Sequence, residues 1–276
     1  MKNSSTPEGD YTILEEAARR VRRRVLSALW KSKASHLGTS LSVVDILVSI
    51  YSSIDTGAVK SKSKVRDRVI LSKGHGAAAL YCVLEEFNLL SSQLVDSYHQ
   101  SGSLLTGHVS HKVPGVEHST GALGHGLSVA IGMAIGLRNR GSNSKVFCVV
   151  GDGEIQEGSV WEAVMLWKHL DLRNLILLVD DNKISSIDQT FKAIDMRPLD
   201  RRFDGFGINA LNVDGHNYAE IVEAIQQSEE AASPTVLICS TVKGKGATFA
   251  EGQPIWHYRT LDDEHHRIGL NDLGGV

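Results

Sequence analysis

Apolar residues recur with helical spacing over residues 10–34, a stretch rich in Ala, Leu and Arg that no Gly or Pro interrupts. This predicts a helix with a basic face from Arg19 to Arg24, expected to be solvated. The run Ser-His-Leu-Gly-Thr-Ser at 35–40 breaks the pattern, and helical spacing resumes over 41–50. A short apolar strand is predicted at 68–72, a Lys-Gly-His-Gly turn at 73–76 and a helix over 77–87. Residues 102–118 hold Gly, Pro and three His with little periodicity and read as a loop. The glycine-rich stretch 121–126 opens a helix of small residues over 127–137, where Gly132 and Gly136 permit close helix packing. Apolar, β-branched runs at 146–150 and 175–179 read as fully buried parallel strands with a helix at 159–169 between them. Further strands are predicted at 208–213 and 235–240, separated by a helix at 218–228. Strands alternating with helices predict an α/β fold, a single domain with a mostly parallel β-sheet flanked by helices on both faces. The expected division is a flexible N-terminal tail at 1–9, a domain over 10–267 and a C-terminal tail at 268–276.

Composition narrows the partners. The 276 residues are 42% hydrophobic and carry a formal charge of −3, which leaves no electrostatic case for nucleic acid or an anionic membrane. The polar N-terminus lacks a signal-like apolar core, and no apolar run is long enough to span a bilayer. Cys82, Cys148 and Cys239 fit no metal or redox spacing; as buried thiols they point to a reducing cytoplasm.

The candidate chemistry begins at the strand end Val149-Val150-Gly151-Asp152-Gly153. Two glycines there let backbone approach a bulky anion, and Asp152 sits where open α/β sheets place ligands. The next predicted strand ends in Asp180-Asp181-Asn182, a separation that suits one β-helix-β unit. The two strand ends would therefore meet. Asp152 and Asn182 offer hard oxygens suited to Mg²⁺ or Ca²⁺ rather than zinc, and a backbone carbonyl just past Asn182 would supply a third. The helix predicted from Ser159 would aim its first amides at the same region. Gly-Asp-Gly alone is common in turns and Asp-Asp-Asn alone is an ordinary strand exit. Their pairing on successive strands is what points to a site.

This Gly-Asp-Gly…Asn pattern resembles the motif of thiamine diphosphate enzymes, in which the Asp, the Asn and the carbonyl two residues later hold the metal. By that resemblance the ligands are Asp152, Asn182 and Ile184, with Mg²⁺ as the ion and Ca²⁺ or Mn²⁺ as substitutes. Further segments are similar to the transketolase family, in order along the chain: Ala34-Ser35-His36-Leu37-Gly38, Leu71-Ser72-Lys73-Gly74-His75-Gly76, Thr106-Gly107-His108, the loop 115–126, the segment 151–158, and Lys243-Gly244-Lys245-Gly246 followed by Trp256-His257. Three positions depart from the usual family residues: Ala122, His125 and Ser35. They bear on substrate preference rather than on cofactor binding.

The resemblance implies thiamine diphosphate as cofactor, bound by His75, Gly121, Ala122, Leu123, Gly151, Asp152, Gly153, Glu154, Asn182 and His257. It implies that His36, His108 and His257 face the sugar hydroxyls of a ketol transfer between a ketose and an aldose. Glu157 resembles a glutamate that links two cofactor sites across a subunit interface; a helix N-terminal carboxylate is the plain alternative. The family continues into a second domain with a catalytic glutamate, so the chain is expected to be the N-terminal subunit of a split transketolase. A separate C-terminal subunit would complete an α2β2 heterotetramer, and apolar surface around the glycine-rich helix at 124–137 is expected to be covered by another subunit. His99, His169, His216, His265 and His266 are read as structural, while His111 and His118 stay undecided. Rival readings are a subunit of an α-ketoacid dehydrogenase or a deoxyxylulose-phosphate-synthase-like protein, a non-catalytic homologue, and a nucleotide-binding domain. The last has little support, because Gly121–Gly126 lacks the dinucleotide spacing and Lys243–Gly246 is not a P-loop.

Overall fold

The computed structural model describes residues 11–274, so the expected tail at 1–9 lies outside the described residues. Helix α1 (Thr12–Ser32) buries Ala17, Ala18, Val21, Val25, Leu26 and Leu29 and ends at a left-handed Lys33. The predicted helix at 41–50 divides into α2 (Leu37–Ser42) and α3 (Val44–Ser53), and the break before it is shorter than expected because Leu37 is already helical. After α4 (Thr56–Lys60) come β1 (Arg68–Leu71), a 3-10 turn at Gly74–Gly76, α5 (Ala77–Glu86) and α6 (Ser92–Asp96). The long loop leads to α7 (Gly126–Asn139), β2 (Val146–Gly151), α8 (Gly158–His169) and β3 (Leu175–Asp181). Then follow α9 (Thr190–Ala193), α10 (Leu199–Gly205), β4 (Asn209–Asp214), α11 (Tyr218–Glu230), β5 (Thr235–Ser240) and α12 (Asp263–Asp272).

Among the described residues the strands form one parallel five-stranded sheet in the order β1-β2-β3-β5-β4. Successive side chains of a strand point to opposite faces. Phe147 and Val149 of β2 join one apolar layer with α1, α3, α5 and α11, while Val146, Cys148 and Val150 join the other with α7 and α8. Both faces of the central strands β2 and β3 are covered, which is why they read as continuous apolar runs, whereas the edge strand β4 is mostly exposed or half-buried.

Three expectations are corrected. The arginines of α1 do not form one continuous solvated basic face, although Arg19 and Arg20 stay open to solvent. Arg22 is buried and its NH1 and NH2 donate to the Asp45 carboxylate at 2.9 and 2.5 Å; Arg20 pairs with Glu86 at 2.5 Å, and Arg24 with Glu85 at 2.7 Å and Asp96 at 2.9 Å. Acids on α5, α3 and α6 pair with Arg20, Arg22 and Arg24, while Arg19 pairs with Glu16 of α1 itself and Arg23 donates to the Leu270 carbonyl. The residues from 268, expected as a tail, continue α12 through Asp272, with Gly269 against Leu26 of α1. Gly132 and Gly136 face outward, and a Cβ at either would have no neighbour within 4 Å, so they serve no packing within this chain.

Candidate active site

The carboxyl ends of β1, β2 and β3 border a cavity of about 670 Å³, within the usual range for small-molecule sites. Four histidines meet in it from four segments. His36 stands between α1 and α2 in a left-handed conformation (φ 72°), and its backbone N–H donates to the His257 carbonyl at 2.9 Å. A non-glycine residue held this way is strained, and such strain gathers at functional sites. His75 sits in the turn after β1. Gly74 is required there, because a Cβ would come within 2.6 Å of the Thr120 backbone. The His108 carbonyl accepts from Thr106 Oγ1 at 2.7 Å and from Tyr81 OH at 3.1 Å, which pins the loop. His257 ends the short turn Pro254–His257. The His36 ring lies 5.6 Å from those of His75 and His108 and 5.1 Å from that of His257, and the His75 and His257 rings lie 5.4 Å apart.

Burial dominates the electrostatics of this cluster. It lowers His36 to about 4, helped by His108 and Lys243, and lowers His257 to about 3, helped by Lys243 and His36. It also pushes His75 well down, with Lys73 next in effect. These three imidazoles are therefore neutral near pH 7. Each offers one N–H donor and one lone pair, the complement of sugar hydroxyls.

Below the histidines lie the acidic strand ends. Parallel pairing sets Gly151 beside Asp180, so Asp152 and Asn182 leave neighbouring strands side by side. Asp152 is buried, and burial with the nearby Asp181 and Asp180 raises its carboxyl to about 7. Its Oδ1 accepts the Gly153 N–H at 2.9 Å and its Oδ2 the Thr190 hydroxyl at 3.3 Å. Ser42 gives its proton to Asp180 at 2.7 Å and accepts the Asn182 amide at 3.4 Å, which orients that side chain. Asn182 Oδ1 accepts the Ile184 N–H at 3.1 Å.

Two lysines accompany them, and motifs read for histidine alone single out neither as a site residue. Lys73 is buried and paired with Asp180, which also accepts the Thr241 hydroxyl. Lys243 crosses Gly38, where a Cβ would come within 2.9 Å of its Cγ. Its Nζ donates to the Ile184 carbonyl at 3.1 Å and the Ser185 carbonyl at 2.6 Å and lies 3.2 Å from His257 Nδ1. Burial, with Lys73 next, lowers Lys243 to about 8. A signal for both is present in the sequence: each lysine stands inside a glycine turn at a strand end. Thr39, Gln156 and residues 185–189 also line the cavity and carry no such signal.

Of the expected residues, His36, His75, His108, Gly121, Leu123, Gly151, Asp152, Gly153, Glu154, Asn182, Ile184 and His257 line this one cavity. Ala122 and Glu157 are not among its lining; both are exposed, and Glu157 stands at the start of α8 with no side-chain capping bond. Glu154 lines the cavity, yet its carboxylate is engaged by protein. It accepts Ser72 Oγ at 2.5 Å, the Gly124 N–H at 2.8 Å and the Gly151 N–H at 3.2 Å. That ties the loop before α7 to the ends of β1 and β2.

A family model described as transketolase, thiamine diphosphate binding domain, matches residues 13–274. The chain belongs to the transketolase family. It is 38% identical over 266 residues to an apulose-4-phosphate transketolase subunit of Actinobacillus succinogenes, covering 95% of this chain and 96% of that one. It is 33% identical over 263 residues to the 6-deoxy-6-sulfo-D-fructose transketolase subunit SqwG of a Clostridium species, covering 94% and 96%. Among solved structures, the transketolase of Campylobacter jejuni superposes with a TM-score of 0.88 at 30% identity, covering 96% of this chain and 43% of that one. The transketolase-like chain thus spans nearly all of the two subunit-length relatives and less than half of the longer enzyme.

The residues present fit the family's cofactor and a hard divalent ion. One carboxylate, one amide oxygen and one carbonyl make an incomplete oxygen set, which suits Mg²⁺ completed by phosphate oxygens and water. A carboxyl raised to about 7 by burial and two neighbouring acids is relieved by a cation beside it. Gly121 has φ 155°, and a Cβ there would come within 3.2 Å of His108 Cδ2, so this wall of the cavity admits only glycine without displacement.

Proposed function

We propose that this chain is the thiamine diphosphate-binding subunit of a two-part transketolase, acting in the cytoplasm, which moves a two-carbon ketol unit from a ketose to an aldose. The observation that carries the proposal is the meeting of His36, His75, His108 and His257 above Asp152, Asn182 and Ile184 in one cavity. The relatives of matching length are named as subunits, which supports the two-part reading.

Asp152, Asn182 and the Ile184 carbonyl would hold Mg²⁺, with Ca²⁺ or Mn²⁺ as substitutes. Gly151, Gly153, Gly121 and Leu123 would line the cofactor. When bound, thiamine diphosphate supplies the electron sink for carbon–carbon cleavage. His36, His108 and His257 bind the sugar hydroxyls, and His75 lies close to the cofactor. The neutral rings of His36 and His257 suit this work, since each offers one N–H donor and one lone pair to a hydroxyl. Glu154 positions the loop at 121–126 from beneath. Glu157 lies at the subunit boundary, and a C-terminal subunit supplies the catalytic glutamate in an α2β2 assembly with two-fold symmetry.

The test is co-purification with a C-terminal transketolase subunit, followed by ketol-transfer assays with several ketoses. Transfer is expected only from the complex with cofactor and Mg²⁺. Transfer by the chain alone would overturn the two-part reading. Decarboxylation of pyruvate by the complex would move the assignment to the α-ketoacid dehydrogenase or deoxyxylulose-phosphate-synthase branch, and no turnover in the complex would make the chain a non-catalytic homologue.

A further inference from the structure

A second polar cluster lies behind the active site, centred on Asp45 of α3. Asp45 is buried and accepts both terminal nitrogens of Arg22 on α1, at 2.9 and 2.5 Å. It also accepts the hydroxyl of Tyr218 at the start of α11. Its remaining partner is His216, in the turn after β4, whose Nδ1 lies 2.6 Å from Asp45 Oδ2. The other ring nitrogen of His216, Nε2, accepts the backbone N–H of Val242 at 2.8 Å. That bond decides the tautomer: a nitrogen that accepts carries no proton, so the proton is on Nδ1 and is donated to Asp45.

The Val242 N–H belongs to the residue before Lys243. This segment leaves β5 and turns at Gly244 (φ 85°) and Gly246 (φ 87°). It is fastened on the other side by the Gly244 N–H donating to the Gly38 carbonyl at 2.9 Å. Gly246 lies against the Arg22 side chain, where a Cβ would come within 3.2 Å of Cδ. Hydrogen bonds and contacts therefore run from α1 and α3 through His216 to the backbone that aims Lys243 at Ile184, Ser185 and His257.

We propose that His216 is a positioning residue: held by Asp45, it fixes the backbone at Val242 and so places the Lys243 ammonium among the Ile184 and Ser185 carbonyls and the His257 ring. A histidine suits this post because a ring with one donor and one acceptor spans from a carboxylate to an amide. An alanine leaves the Val242 N–H without its acceptor while Asp45 keeps Arg22 and Tyr218, and a glutamine keeps a donor and an acceptor on a flexible arm. The proposal deepens the active-site reading, yet its test does not depend on the reaction catalysed.

Lys243 and Lys73 are both buried, at 1% exposure. Only Lys243 sits on the segment that His216 holds. The folded chain is exposed to an amine-acylating reagent, and acylation of each lysine is followed by peptide mass spectrometry. In His216→Ala, acylation of Lys243 is expected to rise several-fold while Lys73 stays protected, and His216→Gln is expected to restore most of the protection. Lys243 remaining protected in folded His216→Ala would overturn the proposal. Equal exposure of Lys73 would also overturn it, because His216 would then support the whole domain and not this segment. Failure of His216→Gln to restore protection would overturn the hydrogen-bonded relay in favour of ring shape as what holds the turn. Loss of ketol transfer plays no part in these readings, so a wrong assignment of the reaction and a wrong role for His216 are told apart.

Discussion

Burial and two neighbouring acids lift the Asp152 carboxyl to about 7, far above the ordinary value of 3.8. With the folded pKa raised, the fold without metal holds a proton on Asp152 that the unfolded chain has already lost, so ionisation works against stability as pH rises through about 7. A divalent ion replaces that proton. The stabilisation by Mg²⁺ and thiamine diphosphate is therefore expected to be larger at about pH 8 than at about pH 6, measured as the rise in melting temperature. Asp152→Asn should flatten that difference and weaken loading at both pH values; an unchanged pH dependence would sink the metal role of Asp152. The Arg22–Asp45 pair has the opposite sign. Burial opposes the Asp45 charge, but Arg22 and the hydrogen bonds from His216, Arg22 and Tyr218 outweigh it and hold the carboxyl well below the ordinary range. The stability it contributes is present above the unfolded aspartate range and is lost as pH falls towards the folded value. Arg22→Leu leaves this buried carboxylate without its cation and is expected to cost about 3–5 kcal/mol in denaturant unfolding. Asp152 and Asn182 are legible from residue types and spacing. Arg22 is not, because nothing local distinguishes it from the other arginines of α1.

At the scale of elements, the site depends on how closely the turn after β1 crosses the loop before α7. Gly74 lies against the Thr120 backbone, and Gly126 lies against Ser72, where a Cβ would come within 2.3 Å of Oγ. A rigid backbone neighbour gives way less readily than a rotatable hydroxyl. Gly74→Ala is thus expected to cost about 1–3 kcal/mol by overpacking and to displace His75. Gly132→Ala on the open face of α7 should cost nothing and gain slightly, because alanine favours a helix by about 1 kcal/mol over glycine. Denaturant midpoints of the two variants check both expectations; equal effects would show that the crossing of turns is not what Gly74 serves. The apolar runs make β2 and β3 plain, since both of their faces are covered. The helix predicted at 41–50 begins earlier than its spacing suggests, because residues 35–40 mix Ser, Thr and Gly that normally break helices and here lie largely buried in α2 and the turn before it.

At the scale of the whole molecule, four histidine segments spread from His36 to His257 converge because β1, β2 and β3 end on one edge of the sheet and the segment after β5 returns over it. The outward glycines of α7 leave a smooth face with Val129, Met133 and Ile135 partly exposed beside it. In the proposed assembly this face is covered, so light scattering of the complex is expected to give two copies of each chain; a one-to-one pair would count against the α2β2 arrangement. The amino-acid sequence by itself determined the fold class, the order of the strands along the chain and the candidate metal and histidine residues, because these depend on periodicity, residue chemistry and local spacing. Tertiary structure alone decided which groups hold Lys73 and Lys243 in the site, that the Glu154 carboxylate is engaged by protein while Glu157 stands outside the cavity, and that Arg20, Arg22 and Arg24 are paired with acids. Each of those depends on which distant side chain lies opposite, and a buried charge keeps its place only when that partner is there.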